Sequence, residues 1–206
     1  MRFIDIHTHN SRPCNNSIYN SGTTRTQGRI ISIGIHPWYI SNGWKEEFSC
    51  IAEIAAADNV AAVGECGFDT LRGTAPLDVQ EKIFTAHAQL AEEVGKPLII
   101  HCVKAYDTLL ALRNTIKPQQ EWIIHGFRGK PELALQLIKA GFHISLGEKF
   151  NPDSARAIPA ERLFIESDES QCPIKEIYTA VATAKGMSIE ELALQTEANA
   201  RIFRQF

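Results

Sequence analysis

The 206-residue chain contains no apolar run of about 18 residues, the length that a membrane-spanning helix requires. Its N-terminus also lacks the cationic stretch, apolar run and small-residue cleavage site of a signal peptide. The net charge is only −3, from 21 basic and 24 acidic residues, so the basic excess of a protein that coats nucleic acid is missing. With 44% hydrophobic and 22% charged residues, the composition is that of an ordinary globular protein, and we expect one domain over residues 1–206.

The cysteines follow neither a disulfide spacing nor a metal-ligand spacing. They are odd in number, and no two of them form a Cys-x-x-Cys motif. Scattered cysteines of this kind are typical of reduced thiols in the cytoplasm and argue against a thiolate zinc site. We therefore expect a cytoplasmic protein with no membrane association and no obligate protein partner. The five cysteines are Cys14, Cys50, Cys66, Cys102 and Cys172.

Short segments rich in valine, isoleucine and leucine alternate with amphipathic segments along most of the chain. This alternation predicts an α/β protein whose parallel sheet is buried on both faces. We expect a (β/α) TIM-type barrel, slightly abbreviated or distorted near residues 10–30, where the sequence is polar and rich in turn formers. A doubly wound open sheet is the alternative. The predicted strands lie at 3–9, 17–20, 29–35, 60–65, 97–102, 121–125, 142–146 and 162–166.

The first predicted strand ends in two histidines, His7 and His9, that are separated by one residue. Side chains alternate between the faces of a strand, so both imidazoles point to the same side, together with Asp5. Two imidazoles on one side can bind one divalent ion, although packed or solvated histidines would have the same spacing. We expect Asp5 to orient a ligand imidazole from behind, or alternatively to be an inward carboxylate satisfied by the backbone or a buried cation.

Later strands end in residues of the same chemical types, namely Glu65, His101, His125 and Asp168. Each one alone has a simpler explanation, as a hydrogen-bonded core histidine or as a carboxylate that caps the following helix. Their joint occurrence at strand ends indicates a metal site at the mouth of a barrel, because buried carboxylates without a counter-charge are unfavourable. Imidazole and carboxylate ligands suit Zn²⁺, Mn²⁺, Ni²⁺ or Co²⁺, and Mg²⁺ less well.

Eight short motifs follow one another between residues 3 and 203: DIHTH (5–9), GIHPW (34–38), VGECGFD (63–69), IIHC (99–102), IIHGFRG (123–129), GFHISLG (141–147), FIESD (164–168) and NARIF (199–203). Together they resemble the TatD-type deoxyribonuclease family. The Asp-x-His-x-His start is shared with many amidohydrolase-like barrels, whereas Gly-Glu-x-Gly-x-Asp combined with His-x-Phe-x-Gly is much more specific. Two departures concern the substrate side: the segment 10–28 is short and polar, and Asp168-Glu169-Ser170 replaces the usual Asp-x-Pro.

The resemblance implies a hydrolase with two divalent metal ions. It also implies that Asp168 takes or steers the proton of the attacking water and that His36 lies on the substrate side. For His36 the alternative is a loop histidine fixed by Pro37 and Trp38. The ligands that the resemblance implies are His7, His9 and Asp168 for one ion, His101 and His125 for the other, and Glu65 as the bridge.

The ligand set predicts hydrolysis by metal-activated water with no covalent intermediate. The resemblance implies that the enzyme is a phosphodiesterase, in particular a deoxyribonuclease. Phosphate recognition also needs local positive charge, for which we expect Arg128, because a guanidinium binds phosphate bidentately. Lys104, Lys130 and Lys149 also follow strand ends and could face the mouth, but we expect them to be solvated surface charges. A small-molecule phosphoester, lactone or cyclic-amide hydrolase is the alternative, and a barrel that binds metal or nucleic acid without turnover is a third possibility.

Overall fold

The computed structural model describes residues 1–10, 16–24 and 26–206. Cys14 and part of the predicted irregular segment therefore lie outside the described residues. The strands are β1 (Asp5–Thr8), β2 (Ser17–Asn20), β3 (Ile31–Ile33), β4 (Val60–Asp69), β5 (Leu98–Val103), β6 (Trp122–Ile124), β7 (His143–Leu146) and β8 (Leu163–Ile165). The α-helices are α1 (Trp44–Ile54), α2 (Leu77–Val94), α3 (Tyr106–Ile116), α4 (Pro131–Lys139), α5 (Pro152–Ala157), α6 (Ile174–Lys185) and α7 (Ile189–Asn199).

Every predicted strand is present, with differences at the ends. The largest difference is in β4, which was expected to end at Glu65 and instead continues to Asp69. A glycine can end a strand, but Gly67 allows β4 to continue in close contact with β5, as described below. The short helix α5 was not predicted. It begins at Pro152, and the Asn151 side chain caps it by accepting a hydrogen bond from the backbone N–H of Asp153 at 3.0 Å.

The chain consists of two compact units. The first comprises Met1–Tyr19 and Ile123–Phe206. In this unit β6 pairs with β7, β7 with β8, and β1 with β2, all in parallel. A bridge between Thr8 and Asp168 joins the end of β8 to β1, so the last strand of the chain lies beside the first. Neighbouring first and last strands are expected in a barrel and not in a doubly wound sheet.

The second unit comprises Asn20–Trp122. Its strands β3, β4 and β5 pair in parallel in chain order. All ten residues of β4 are buried, as expected for a strand that is covered on both faces. Helix α2 packs beside these strands, and its Phe84 ring lies 4.9 Å from the ring of Phe68 on β4 and 5.1 Å from that of Trp122.

The connection between the first two strands is short. Strand β1 ends at Thr8 and β2 begins at Ser17, whereas a crossover between parallel strands normally needs about a dozen residues or more. The described residues between β2 and β3 also include no helix. In the described residues the connections near residues 10–30 are therefore shortened, as expected.

Tyr178 of α6 anchors the beginning of β1 in the first unit. Its hydroxyl donates to the carbonyl of Ile4 at 2.8 Å and accepts from the amide of Ile4 at 3.1 Å. Both backbone groups of Ile4 are therefore satisfied in a buried position, which holds the strand that carries His7. None of the helices in the described ranges combines the length and apolarity that crossing a membrane demands.

A buried histidine of α2 supports the segment that follows β3. The Nε2 atom of His87 accepts a hydrogen bond from the amide of Ile35 at 3.0 Å, and Nδ1 lies 2.8 Å from the carbonyl of Ile83. Because Nε2 accepts, the proton of the ring is on Nδ1 and donates to Ile83. Burial lowers the pKa of His87 to about 4, so the ring stays neutral in the folded protein.

This histidine predicts a loss of stability in acid. Between pH 6.5 and pH 4 the unfolded chain takes up a proton on His87 that the folded chain does not, which lowers the free energy of unfolding by about 3 kcal/mol. In His87→Gln, a glutamine carbonyl replaces the acceptor and does not titrate. Urea unfolding of both proteins at several pH values should show the advantage of the wild type shrinking below pH 6.5. An advantage that is independent of pH would contradict the assignment.

Candidate metal centre

His7 and His9 converge with Asp168 in the first unit. The Nε2 atom of His7 lies 3.9 Å from Oδ1 of Asp168, and that of His9 lies 3.6 Å from the same oxygen. The His7 ring is fully buried, whereas about a third of the His9 side chain is exposed. The two imidazoles therefore face one carboxylate from inside the protein and from its surface.

The backbone around Asp168 holds its carboxylate next to these histidines. The amide of Asp168 donates to the carbonyl of His7 at 2.9 Å, and its carbonyl accepts from the amide of His9 at 3.0 Å. Asp168 adopts φ = +52°, a left-handed conformation that an aspartate tolerates better than most residues. The ladder between the two strand ends thus fixes an unusual conformation at a candidate ligand.

Asp5 binds the same turn through Ser167, the residue that precedes Asp168. Its Oδ1 accepts from the amide of Ser167 at 3.0 Å, and its Oδ2 lies 2.6 Å from the Ser167 hydroxyl, which is also 2.8 Å from the hydroxyl of Thr8. Burial raises the pKa of Asp5 to about 7, and the hydrogen bonds from Ser167 act in the opposite direction. The Asp5 carboxylate therefore binds the residue that precedes Asp168, and through Ser167 it supports the turn that carries Asp168.

His125 follows β6, and Glu166 holds one side of its ring. The Nδ1 atom of His125 lies 3.3 Å from Oε1 of Glu166, which also accepts from the amide of Gly126 at 2.6 Å. Burial alone would raise the pKa of Glu166, but the nearby His125 and His7 outweigh burial and lower it. An ionised carboxylate only accepts, so the proton is on Nδ1 of His125 and Nε2 keeps its lone pair.

Ligand atoms of His7, His125 and Asp168 all lie within 4.8 Å of one another. The first unit thus brings together four of the residues that were expected to bind metal. Glu166 was not among the predicted site residues. The sequence feature that could have identified it is an acidic residue directly after the apolar run of RLFIES, because a buried carboxylate needs a partner.

In the second unit, the packing of β4 against β5 brings Glu65 and His101 together. Gly67 pairs with His101, and a Cβ atom on Gly67 would lie 2.0 Å from the His101 carbonyl oxygen. Only glycine allows this approach, and Gly67 also has φ = +142°. Oε1 of Glu65 lies 2.9 Å from Nδ1 of His101, while the Asn20 side chain donates to Oε2 at 2.9 Å.

Asp69 holds the other side of the His101 ring. Its Oδ2 lies 3.1 Å from Nε2 of His101 and accepts from the indole N–H of Trp38 at 2.6 Å. Its Oδ1 accepts from the amides of Leu71 at 2.9 Å and Arg72 at 2.8 Å. Burial raises the pKa of Asp69, but these hydrogen bonds outweigh it and the net pKa is lowered. Asp69 is therefore an ionised acceptor, although sequence reasoning had assigned it no role.

The contact between Asp69 and His101 determines which nitrogen of the ring is available to a metal ion. Because Asp69 accepts from Nε2, Nδ1 of His101 keeps its lone pair and points at the acceptor Oε1 of Glu65. The two atoms lie 2.9 Å apart, close enough for one cation to contact both. An imidazole nitrogen and a carboxylate oxygen are ligands for Zn²⁺ and similar ions, so these residues fit a divalent metal.

His36 and Arg128, which were expected to bind substrate, lie in different units. Nε2 of His36 is 3.0 Å from Oε1 of Glu65 and 3.3 Å from Nδ1 of His101. Arg128 lines a cavity of about 230 Å³ in the first unit, together with Lys149 and Asp168. Lys104 and Lys130 are not among the residues that line this cavity. The remaining lining residues are Gly126, Gly147, Glu148, Glu166, Ser167, Glu169 and Ser170.

Comparison with known proteins gives consistent matches. A sequence profile described as TatD related DNase matches residues 6–204. The chain is 31% identical over 198 residues to the uncharacterized metal-dependent hydrolase YabD of Bacillus subtilis, covering 84% of this chain and 76% of the relative. It is 29% identical over 199 residues to the 3'-5' ssDNA/RNA exonuclease TatD of Erwinia billingiae, covering 83% of this chain and 76% of the relative.

Two solved structures have the same fold. A TatD family hydrolase from Entamoeba histolytica superposes with a TM-score of 0.80 at 17% identity, covering 99% of this chain and 98% of the other. The TatD homologue YjjV of Escherichia coli K12 gives a TM-score of 0.80 at 20% identity, covering 98% and 97%. This likeness confirms the predicted barrel of alternating strands and helices.

The role of Asp69 can be tested through metal affinity. In Asp69→Asn the amide no longer provides a charged acceptor for both Trp38 and His101, so the His101 ring is not held with Nδ1 towards Glu65. We expect Zn²⁺ or Mn²⁺ binding, measured by competition with a chelator, to weaken about tenfold to a hundredfold. Asp153→Asn, at an exposed carboxylate paired with Arg156, is the matched control. An unchanged affinity in a folded Asp69→Asn protein would contradict the assigned role.

Proposed function

The chain belongs to the family of TatD-related DNases, which makes it a metal-dependent hydrolase, and on that premise we propose that it cleaves phosphodiester bonds of DNA. The observation that carries the proposal is the pair of acceptors Glu65 Oε1 and His101 Nδ1, which lie 2.9 Å apart with Asp69 holding the far side of the ring. Similarity to proteins named as 3'-5' ssDNA/RNA exonucleases supports a nucleic-acid substrate.

We propose two divalent ions, of Zn, Mn, Ni, Co or Mg, in a single hydrolase domain of residues 1–206. Each unit supports this with its own cluster of ligand atoms and with a carboxylate that orients one histidine, Glu166 for His125 and Asp69 for His101. Carboxylate-oriented histidines are the usual arrangement around bound metal ions. The proposed ligands remain His7, His9, Glu65, His101, His125 and Asp168.

Divalent ions at such a site lower the pKa of coordinated water and stabilise charge on a phosphoryl group. The chain supplies an acceptor for the water proton in Asp168, whose side chain is about a quarter exposed and therefore accessible from solvent. Cysteine is a poor nucleophile here, because burial raises the pKa of Cys66 well above its usual value and that of Cys102 to about 12. We therefore propose direct attack by water.

Substrate phosphate is proposed to contact Arg128 and His36. Arg128 and Lys149 line the same cavity as the carboxylates of Glu148, Glu166, Asp168 and Glu169. A guanidinium there can bind a phosphodiester bidentately, which a neutral lactone or cyclic amide does not require. In the described part of the chain the cysteines Cys50, Cys66, Cys102 and Cys172 are reduced thiols, which supports the proposed cytoplasmic location.

The proposed function predicts metal-dependent cleavage of single-stranded DNA. The purified protein should be assayed with single-stranded DNA, duplex DNA and a generic phosphodiester, with Mg²⁺, Mn²⁺ or Zn²⁺ added after chelator treatment. We expect Glu65→Ala and His125→Ala to lose about a thousandfold or more in rate, since groups that act as one catalytic unit fail together. Glu132→Ala, at an exposed glutamate of α4, should cleave like the wild type. Full activity in both site variants would refute the proposed centre.

Direct attack by water predicts inversion of configuration at phosphorus. A DNA phosphorothioate of one configuration, cleaved in ¹⁸O-water, should give a nucleotide product whose chiral phosphorus is inverted, which ³¹P NMR detects. A covalent phosphoryl-enzyme would also take up the label, because water attacks its phosphorus, but two successive displacements would retain the configuration. Retention would therefore rule out direct attack.

A further inference from the structure

The most exposed large hydrophobic side chain of the described residues is that of Tyr39, in the short 3-10 helix Pro37–Tyr39 that follows β3. Of its surface, 71% is accessible to solvent. The backbone that carries it is nevertheless fixed, because the amide of Tyr39 donates to the carbonyl of His36 at 2.9 Å and Pro37 has a restricted φ angle. Tyr39 therefore presents an aromatic ring to solvent from an ordered backbone.

The Tyr39 ring lies beside the candidate metal ligands of the second unit. Its centroid is 5.5 Å from that of His36, whose ring is in turn 4.5 Å from the ring of His101. Nε2 of His36 is also 3.0 Å from Oε1 of Glu65. In a nucleotide one sugar joins the base to the phosphate. A phosphate that binds at Glu65 and His101 therefore brings its base into the neighbourhood of the Tyr39 ring.

Asp69 holds a second exposed segment next to this helix. Its Oδ2 accepts from the indole N–H of Trp38 at 2.6 Å. Its Oδ1 accepts from the amides of Leu71, at 2.9 Å, and Arg72, at 2.8 Å. Leu71 is 67% exposed, although its backbone is bound in this way. One carboxylate thus holds the helix after β3 and the loop after β4 side by side, and adjoining exposed apolar groups of this kind indicate a binding surface.

The two aromatic rings of this surface differ in what covers them. The guanidinium of Arg72 lies over the Trp38 ring, 4.0 Å from its centroid. This cation–π contact occupies one face of the indole, while the indole N–H is bound to Asp69. The Tyr39 ring has most of its surface in solvent. A planar ligand can therefore stack on Tyr39, with the positive charge of Arg72 beyond Trp38.

We propose that Tyr39 stacks on an unpaired nucleobase of a single-stranded DNA substrate, next to the phosphate that binds at Glu65 and His101. Exposed aromatic rings beside positive charge bind single strands without reading their sequence, because every base has a π-face. In a duplex each base is stacked between its neighbours, so its faces are not available to a tyrosine. This inference rests on the proposed function and identifies an unpaired base as the substrate feature that the site selects.

Binding of a base can be measured without cleavage. Thymidine 3′,5′-bisphosphate has a phosphate on either side of its base and contains no phosphodiester bond. The compound 1,2-dideoxyribose 3,5-bisphosphate is the same molecule without the base. In calorimetric titrations of the metal-loaded wild type, the thymidine compound should bind about tenfold to a hundredfold more tightly than the base-free compound.

Substitutions of Tyr39 separate stacking from other contributions. Tyr39→Phe keeps the ring and should keep the preference for the thymidine compound. Tyr39→Ala should bind both compounds as the wild type binds the base-free one, and it should retain the wild-type metal content. Leu194→Ala, at a side chain of α7 that is 66% exposed, is the matched control and should behave like the wild type.

The same substitution predicts a selective effect on cleavage. Stacking contributes equally to the bound substrate and to the transition state, so Tyr39→Ala should raise KM for single-stranded DNA about tenfold and leave kcat nearly unchanged. For a strand of the same length that carries no bases, KM should be the same in Tyr39→Ala and in the wild type.

Equal binding of the two compounds by the wild type would overturn the inference. A Tyr39→Ala protein that still prefers the thymidine compound, or that loses affinity for both compounds, would also overturn it. A wild type that shows the predicted preference but cleaves no phosphodiester would refute the proposed function, and loss of that preference in Tyr39→Ala would still support the stacking role. Cleavage by a wild type without the preference would support the proposed function and refute the stacking role.

Discussion

An imidazole binds a metal ion through the nitrogen that carries no proton, so the partner of its other nitrogen decides its role. Asp69 accepts from Nε2 of His101 and Glu166 accepts from Nδ1 of His125, which leaves one lone pair on each ring for a cation. His36 has the opposite arrangement at one nitrogen, because the amide of Trp38 donates to its Nδ1. Neighbouring histidines thus have partners of opposite hydrogen-bonding type.

The two orienting carboxylates must remain ionised although they are buried. Burial raises the pKa of both, and an isolated buried carboxylate would become protonated. Asp69 is held ionised by backbone amides, an indole N–H and His101, and Glu166 by His125, His7 and the amide of Gly126. The backbone amides among these donors, of Leu71, Arg72 and Gly126, follow β4 and β6. The backbone after these two strands therefore helps to maintain the charge of the carboxylates that contact His101 and His125.

The sequence predicted the strands and the strand-end positions of the candidate ligands because both depend on local patterns. Alternating apolar segments locate the strands, and the first polar residue after each apolar run locates a strand end. Asp69 was missed because the strand was expected to end at Glu65, whereas Gly67 continues β4 against the carbonyl of His101. In a strand that continues past Glu65, the side chains of Glu65 and Asp69 point to the same side. That the strand continues depends on the contact between Gly67 and β5, which the sequence does not show. Tautomers likewise depend on partners that are distant in sequence.

The proposed anionic substrate would meet more carboxylates than cations in a chain of net charge −3. Arg128 and Lys149 share their cavity with Glu148, Glu166, Asp168 and Glu169, and the Nε2 atom of His36 lies 3.0 Å from Oε1 of Glu65. The guanidinium and the ammonium attract any anion, whereas the carboxylates repel it. Divalent ions bound at the carboxylates would reverse this repulsion. A site of this composition therefore favours a phosphate that binds together with metal ions over an anion alone.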